Sequence, residues 1–282
     1  TSSLVGSEMC IRDSRNIIPG RNEYMEKVIC HINPKYAYLK EKIQSLPDRF
    51  ETEGETIYAA RNTLKVIECD GIRFCVKSYR PPHILNRFVY AHFRKPKAER
   101  AFIYASHFLS VGVNTPEPVA YITCRNGIGI TRSYYICLQL DQAYTFRRAI
   151  AAFPAEQESI LRGIARFTFD FHRKQIYFID HSGGNTLLKR NENGTFDFYL
   201  VDLNRTQLTR VSYKKGLQNL SKLELEEPML RIVADEYAKL WHADSAQAQE
   251  RLINLTCRHN RRTRRKSFIR NTRKKIKRMF IA

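Results

Sequence analysis

An α+β fold in two lobes, a small antiparallel β lobe carrying one helix and a larger, mainly helical lobe, is what the sequence predicts. Three observations carry this. Residues 72–79 alternate like a half-buried strand after the turn Asp70-Gly71, which follows another strand-like run, Leu64 to Cys69, as in a hairpin. A helical pattern then opens at Lys97 and is followed by further strand-like runs. From residue 156 onward the apolar spacing changes to three and four residues over two long stretches. At 282 residues and 43% apolar content, the chain can bury one large core or two lobes.

Residues 1–14 are similar to a translated sequencing adapter and are set aside as a non-native leader. Residues 15–56 read as a polar extension with one helical patch around Tyr36 to Leu46. The small lobe is assigned to 57–140. In it Leu64 to Cys69 and Ile72 to Tyr79 form the hairpin, and Lys97-Ala98-Glu99-Arg100 opens a helix with Phe102, Ala105, Phe108 and Leu109 on one face. Thr131 to Leu140 is a strand leaving this lobe. The large lobe is assigned to 141–257. Its first long helix, 156–173, turns Ile160, Leu161, Ile164, Phe167, Thr168 and Phe171 to one side. His172, just past that face, reads as a buried structural histidine. A further helix is expected from Leu223 to Trp241, with Pro228 in its first turn.

Between those helices lies Asp180-His181-Ser182-Gly183-Gly184-Asn185, followed by the apolar run Phe196 to Val201 that ends in Asp202. The spacing sets a carboxylate, an amide five residues later and a second carboxylate where one Mg-nucleotide could be gripped and a hydroxyl deprotonated. Phosphoryl transfer needs this: metal fixed on the phosphates by hard oxygen ligands, and an acceptor hydroxyl aimed in line. Ser182-Gly183-Gly184 is a turn able to bring Asn185 back towards Asp180. The same hexapeptide also reads as a polar turn between two strands, since Asp, Asn, Ser and Gly are the usual turn formers.

Upstream residues favour the chemical reading. Lys77 lies near the end of the second hairpin strand, and Glu99 near the start of the next helix. A lysine so placed can act as a point charge on phosphates while a glutamate holds it. Singly, each has a plainer reading, Lys77 as a solvated strand lysine and Glu99 as a first-turn acid that suits the helix macrodipole.

Taken in chain order, the motifs Val76-Lys77-Ser78-Tyr79, Lys97-Ala98-Glu99-Arg100, Thr115-Pro116-Glu117-Pro118, Ile179 to Asn185 and Leu200-Val201-Asp202-Leu203-Asn204-Arg205 resemble those of the lipopolysaccharide kinase family. Its members have a protein-kinase-like fold and phosphorylate Kdo or heptose in the lipid A–core region. The resemblance runs from about Ile57 to Trp241. It implies that Asp180 is the general base, that Asn185 and Asp202 hold Mg²⁺, and that Lys77 with Glu99 orients ATP. It also implies an acceptor sugar linked to lipid A, and a cytoplasmic enzyme peripheral to the inner membrane.

There are departures from the protein kinases. Phe178 and Ile179 stand where those enzymes have His and Arg, and Leu203-Asn204 replaces Phe-Gly after the metal-binding Asp. The first hairpin turn, Tyr58 to Thr63, has no glycine, so Arg61 and Asn62 are candidates to contact phosphates through their side chains. Arg61 reads equally as a surface residue. Gln139 and Leu140 would present a hinge backbone to adenine, with Asp141 reaching a ribose hydroxyl, or would form a polar strand exit.

Charge adds a second theme. Lys and Arg number 48 against 28 Asp and Glu, a net +20, and twelve of the cations fall in 258–282, which has no acid. On a helical wheel Phe268, Ile269, Thr272, Ile276, Met279 and Phe280 share one side of this tail, so it reads as a basic amphipathic helix for an anionic membrane surface. RNA binding by the tail and a merely solvated tail are the competing readings; no nucleic acid partner is expected. A second basic and aromatic patch spans Arg87 to Lys97. Seven cysteines show no paired metal-ligand spacing and several lie in apolar runs, as reduced core thiols do. There is no apolar run of about eighteen residues and no signal-peptide core. Beyond a core-sugar kinase, two alternatives stand: a kinase of another acceptor, protein or small molecule, and a non-catalytic nucleotide- or RNA-binding protein.

Overall fold

The computed structural model describes residues 10–12, 26–81, 95–126 and 129–279, with side chains for 26–81, 95–126 and 129–272. Most of the leader and of the Arg87–Lys97 patch lies outside the described residues. The chain divides into two compact units, Thr1–Asp141 and Gln142–Ala282.

The first unit is built on a seven-stranded antiparallel sheet. In chain order its strands are β1 (Cys10–Arg12), β2 (Lys27–Ile32), β3 (Glu55–Ala59), β4 (Thr63–Cys69), β5 (Ile72–Ser78), β6 (Pro118–Asn126) and β7 (Gly129–Leu138). Their order across the sheet is β1-β2-β6-β7-β5-β4-β3. β4 and β5 are the expected hairpin, closing at Asp70-Gly71, both at positive φ. Helix α3 (Lys97–Ser110) packs on β6 and β7, burying Ala98, Ala101, Phe102, Ala105 and Phe108. Leu109, expected on that face, is instead 39% exposed. One residue on from Phe108 is about 100° round the helix, which takes it off the stripe.

The N-terminal extension, whose role the sequence leaves open, is part of this unit. β2 pairs along its whole length with β6, from Lys27 opposite Arg125 to Ile32 opposite Ala120. A 3₁₀ turn over Pro34–Leu39 and the short helices α1 (Lys40–Gln44) and α2 (Leu46–Arg49) follow, and Tyr36, Leu39, Ile43, Leu46 and Phe50 enter the sheet's core cluster. Lys65 on β4 anchors them: buried, its ammonium donates to the carbonyls of Phe50 (2.7 Å), Glu51 (3.0 Å) and Glu53 (3.1 Å). Those three bonds satisfy carbonyls that would otherwise be stranded as the chain leaves α2.

The second unit is mainly helical: α4 (Phe146–Ala152), α5 (Gln157–Arg173), α6 (Tyr213–Leu220), α7 (Glu227–Leu240) and α8 (Ser245–Met279). The face of α5 read from the sequence is buried at Ile160, Leu161, Ile164, Thr168 and Phe171, with Phe167 packed at its edge, and α7 and α8 complete the core. α7 begins four residues later than expected. Glu224 sits in the left-handed region (φ 57°), which no α-helix can contain, and Pro228 then sets the true first turn. Short strands β8 (Ala143–Thr145), β10 (Thr186–Arg190) and β11 (Phe196–Leu200) form one small sheet, while β9 (Ile176–Phe178) and β12 (Thr206–Leu208) form a two-stranded ladder. These two ladders frame the loop 179–185 and the segment at Asp202. The basic residues 258–279 continue α8 without a break, and Phe268 and Ile269 on it are exposed.

Candidate active site

His172, at the end of α5, positions the loop that follows it. Burial drives its pKa down to about 4, so the ring is neutral; Nδ1 lies 2.9 Å from Tyr237 Oη and Nε2 3.0 Å from Asn219 Oδ1. Asn219 in turn donates to the carbonyl of Phe178 at 2.8 Å, two residues before Asp180. His181 is fully buried with Nε2 3.0 Å from Thr168 Oγ1, and its pKa also falls, to about 3, through burial. Both histidines are scaffold, as expected for His172: His172 links α5 to α6 and α7, and His181 links the loop to α5.

The loop itself returns on Asp180. Asn185 N–H donates to the Ser182 carbonyl (3.0 Å), and Asn185 Nδ2 to the carbonyl of Asp180 (2.9 Å). Val201 N–H bonds the carbonyl of Asn185 at 3.0 Å, which ties the end of β11 to the loop just before Asp202. Asp202 is exposed and left-handed (φ 59°, ψ 52°), a conformation that turns the chain sharply out of the strand. Gly183 is enclosed between Phe146, Arg147 and the Leu223 carbonyl, and its own carbonyl accepts from Arg147 N–H (3.1 Å).

Two cations that the sequence reading does not single out stand at Asp180. Arg205 Nη1 donates to Asp180 Oδ1 at 2.8 Å, and Lys222 Nζ to the carbonyl of Ile179 at 2.7 Å. Burial raises the Asp180 carboxyl above its ordinary range, Arg205 and Lys222 pull it down, and Asp202 pushes it up. Burial lowers the Lys222 ammonium, against the attraction of Asp180. Arg205 is visible in the sequence only as the last residue of the Asp202 motif. Lys222, seventeen residues further on, carries no sequence signal.

In the first unit, Lys77 sits on β5 between Leu64 of β4 and Tyr135 of β7. Its ammonium is 5.3 Å from the centre of the Tyr79 ring, and Lys97, in the first turn of α3, is 6.0 Å from the same ring. Tyr79 thus brings Lys77 near the helix that bears Glu99. Glu99 pairs with Lys95 at 3.2 Å and acts on His31 and Tyr121. Arg61 is exposed at the β3–β4 turn, and Asn62 Oδ1 accepts from Arg80 N–H at 3.4 Å. At the strand exit, Gln139 N–H is committed to the Arg73 carbonyl (2.9 Å), which removes that donor from base recognition, and Asp141 is held by Arg73 in an ion pair.

The donor set fits a hard divalent cation. Because Asn185 Nδ2 is held by the Asp180 carbonyl, the amide oxygen is left for a ligand, and the exposed Asp202 follows Val201, whose N–H bonds the Asn185 carbonyl.

A model of the lipopolysaccharide kinase (Kdo/WaaP) family matches residues 55–252. The chain belongs to this family. Membership makes it a kinase, a phosphotransferase that uses ATP, typically with a divalent metal. Among solved structures the fold is similar to that of WaaP in complex with acyl carrier protein, with a TM-score of 0.58 and 15% identity over 84% of this chain and 98% of that one. The Mycobacterium tuberculosis PknI kinase domain, in a double-mutant form, aligns at a TM-score of 0.40 and 13% identity over 64% and 71% of the two chains. No curated protein sequence matches. The two-lobed, protein-kinase-like α+β fold expected from the sequence is the fold observed.

Proposed function

We propose that this protein phosphorylates a hydroxyl of Kdo or heptose in the lipid A-linked inner core, using ATP and Mg²⁺ at the cytoplasmic face of the inner membrane. The observation that supports this best is the Asp180 loop: a carboxylate oriented by Arg205, an amide folded back upon it, and Asp202 at the adjoining strand end, in a chain of this family. Asp180 takes the proton from the acceptor hydroxyl through Oδ2, since Arg205 occupies Oδ1. Asn185 and Asp202 would hold Mg²⁺, which when bound neutralises charge on the phosphates. Lys77, with Glu99, orients the nucleotide phosphates, with Arg61 and Asn62 at the turn and the Gln139 carbonyl and Leu140 towards the base. Incubation with γ-labelled ATP, Mg²⁺ and either Kdo-lipid A, a heptose-bearing core or a generic protein substrate tests this. Label on the protein alone would replace this reading with that of a kinase of another acceptor.

The shifts at Asp180 set a pH dependence. The base works deprotonated, so activity falls as pH falls through its pKa. Arg205 lowers that pKa; Arg205→Leu therefore moves the acid limb of the kcat/KM profile to higher pH. An acid limb that moves to lower pH, or stays in place, would show that Asp180 does not govern it.

The tail supports a membrane site of action. No helix among the described residues is long and apolar enough to cross a membrane. α8 docks through Ala248, Leu252 and Thr256, and helical geometry sets Phe268 about 160° round from Leu252, away from the docked side. The twelve cations of 258–282 contribute about 1 kcal/mol each near an anionic surface. Truncation after Thr256 is expected to abolish cosedimentation with vesicles containing anionic lipid. Persistent association would place the anchor elsewhere, and tighter retention on RNA than on vesicles would favour nucleic acid.

A further inference from the structure

Apart from the catalytic loop, the second unit contains a cavity of about 550 Å³ lined by Arg173, Gln175, Arg210, Ser212, Tyr213 and Trp241, among others. The β9–β12 ladder fixes where it lies. Ile176 pairs with Leu208 and Phe178 with Thr206, and backbone bonds extend the ladder at both ends, Thr209 N–H to Gln175 O (2.7 Å) and Ile179 N–H to Arg205 O (2.9 Å). Asp180 and Arg205 therefore stand at one end, and Gln175 and Arg210 at the other. The three strand residues Ile176–Phe178 between Gln175 and the Asp180 loop span about 10 Å at about 3.3 Å per residue.

The ladder between them is neither bare nor acidic. Ile176 and Phe178 are buried, so Tyr177 turns the other way, and Lys215 and Lys222 hold their ammonium groups 4.4 and 5.1 Å from its ring centre. Lys222 is the lysine that donates beside Asp180. A line of cations about an aromatic ring thus runs from the candidate base to the cavity. There, two exposed guanidinium groups meet an aromatic wall, Tyr213 and Trp241, with centroids 6.0 Å apart and planes at 58°. Ser212 caps α6 at the same point by accepting from Lys215 N–H. None of the lining residues is acidic. Guanidinium forks recognise phosphate and carboxylate, and flat aromatic faces suit a sugar ring.

We propose that this cavity is a second acceptor subsite, taking a phosphate- or carboxylate-bearing sugar of the same molecule whose hydroxyl reacts at Asp180. It rests on the kinase reading of Asp180. A single sugar cannot occupy both ends of the ladder; an oligosaccharide can.

Trp241 is the chain's one tryptophan and lines the cavity, so its emission reports occupancy without turnover. The full chain is titrated with mannose 6-phosphate, inorganic phosphate and mannose. A saturable change with the sugar phosphate is expected, at least tenfold weaker with either part alone and at least tenfold weaker in Arg173→Gln/Arg210→Gln. Arg231→Gln on α7, paired with Glu227, retains it. In turnover, the double variant raises KM for a phosphorylated core oligosaccharide more than for the dephosphorylated one. No saturable change in the wild type, equal affinity for inorganic phosphate, unaltered affinity in the double variant, or equal KM shifts would each overturn the subsite. A positive titration with no label transfer to any core sugar would instead sink the acceptor assignment and leave a sugar-anion site.

Discussion

Asp180→Asn is expected to lower kcat for transfer to the core sugar by about 10³-fold, within the range a positioned general base contributes. Asn keeps the size of the side chain and an oxygen that can accept from Arg205, so the loop and its hydrogen-bond geometry are disturbed little. What is lost is the capacity to take a proton. The melting temperature and the affinity for nucleotide should stay close to wild type, because the contacts of Asn185 run to the Asp180 backbone carbonyl rather than to its carboxylate. Single-turnover label transfer with saturating acceptor reads the chemical step. A rate within tenfold of wild type would remove Asp180 from the role of base.

Gly216→Ala is expected to destabilise the second unit by about 3 kcal/mol, lowering Tm by about 10 °C. A Cβ at this position would stand 1.9 Å from Tyr237 Oη and 2.8 Å from its Cζ. Tyr237 is fully buried and cannot swing aside without breaking its bond to His172. His172 would then lose its hold on one side of the chain of bonds that continues through Asn219 to the Phe178 carbonyl, next to the Asp180 loop. The helix-propensity gain of Ala over Gly, about 1 kcal/mol, opposes this but is smaller. Gly216→Ala/Tyr237→Phe, which removes the atom in closest conflict, should recover part of the loss. Thermal melts of both variants decide it: a single variant that melts with the wild type means the α6–α7 contact is looser than the geometry requires.

Legibility in the sequence differs from one element to another. α5 is legible because seventeen residues repeat an apolar face at helical spacing, and periodicity over that length leaves few alternatives. The β4–β5 hairpin is legible because Asp70-Gly71 marks its turn. β2 is not: Lys27 to Ile32 is short, half-buried and flanked by polar residues, and only the open edge of β6 makes it a strand. The start of α7 is misplaced because an acidic run looks like a first turn until the backbone shows Glu224 left-handed. Lys65 carries no signal in the sequence and is a buried anchor, since three carbonyls converge on it from a segment twelve to fifteen residues away.

By itself the sequence determined the two-lobed class and the family, and it offered the ordered candidates Lys77, Glu99, Asp180, Asn185 and Asp202, because each depends on local pattern or on spacing along the chain. Tertiary structure alone decided what stands around Asp180. Arg205 reaches it across the end of the β9–β12 ladder, Lys222 arrives from the turn after α6, and His172 and Asn219, from two helices, hold the Phe178 carbonyl two residues before it. These are contacts between residues distant in sequence, made when separate elements bury their apolar faces together, and no local pattern encodes them.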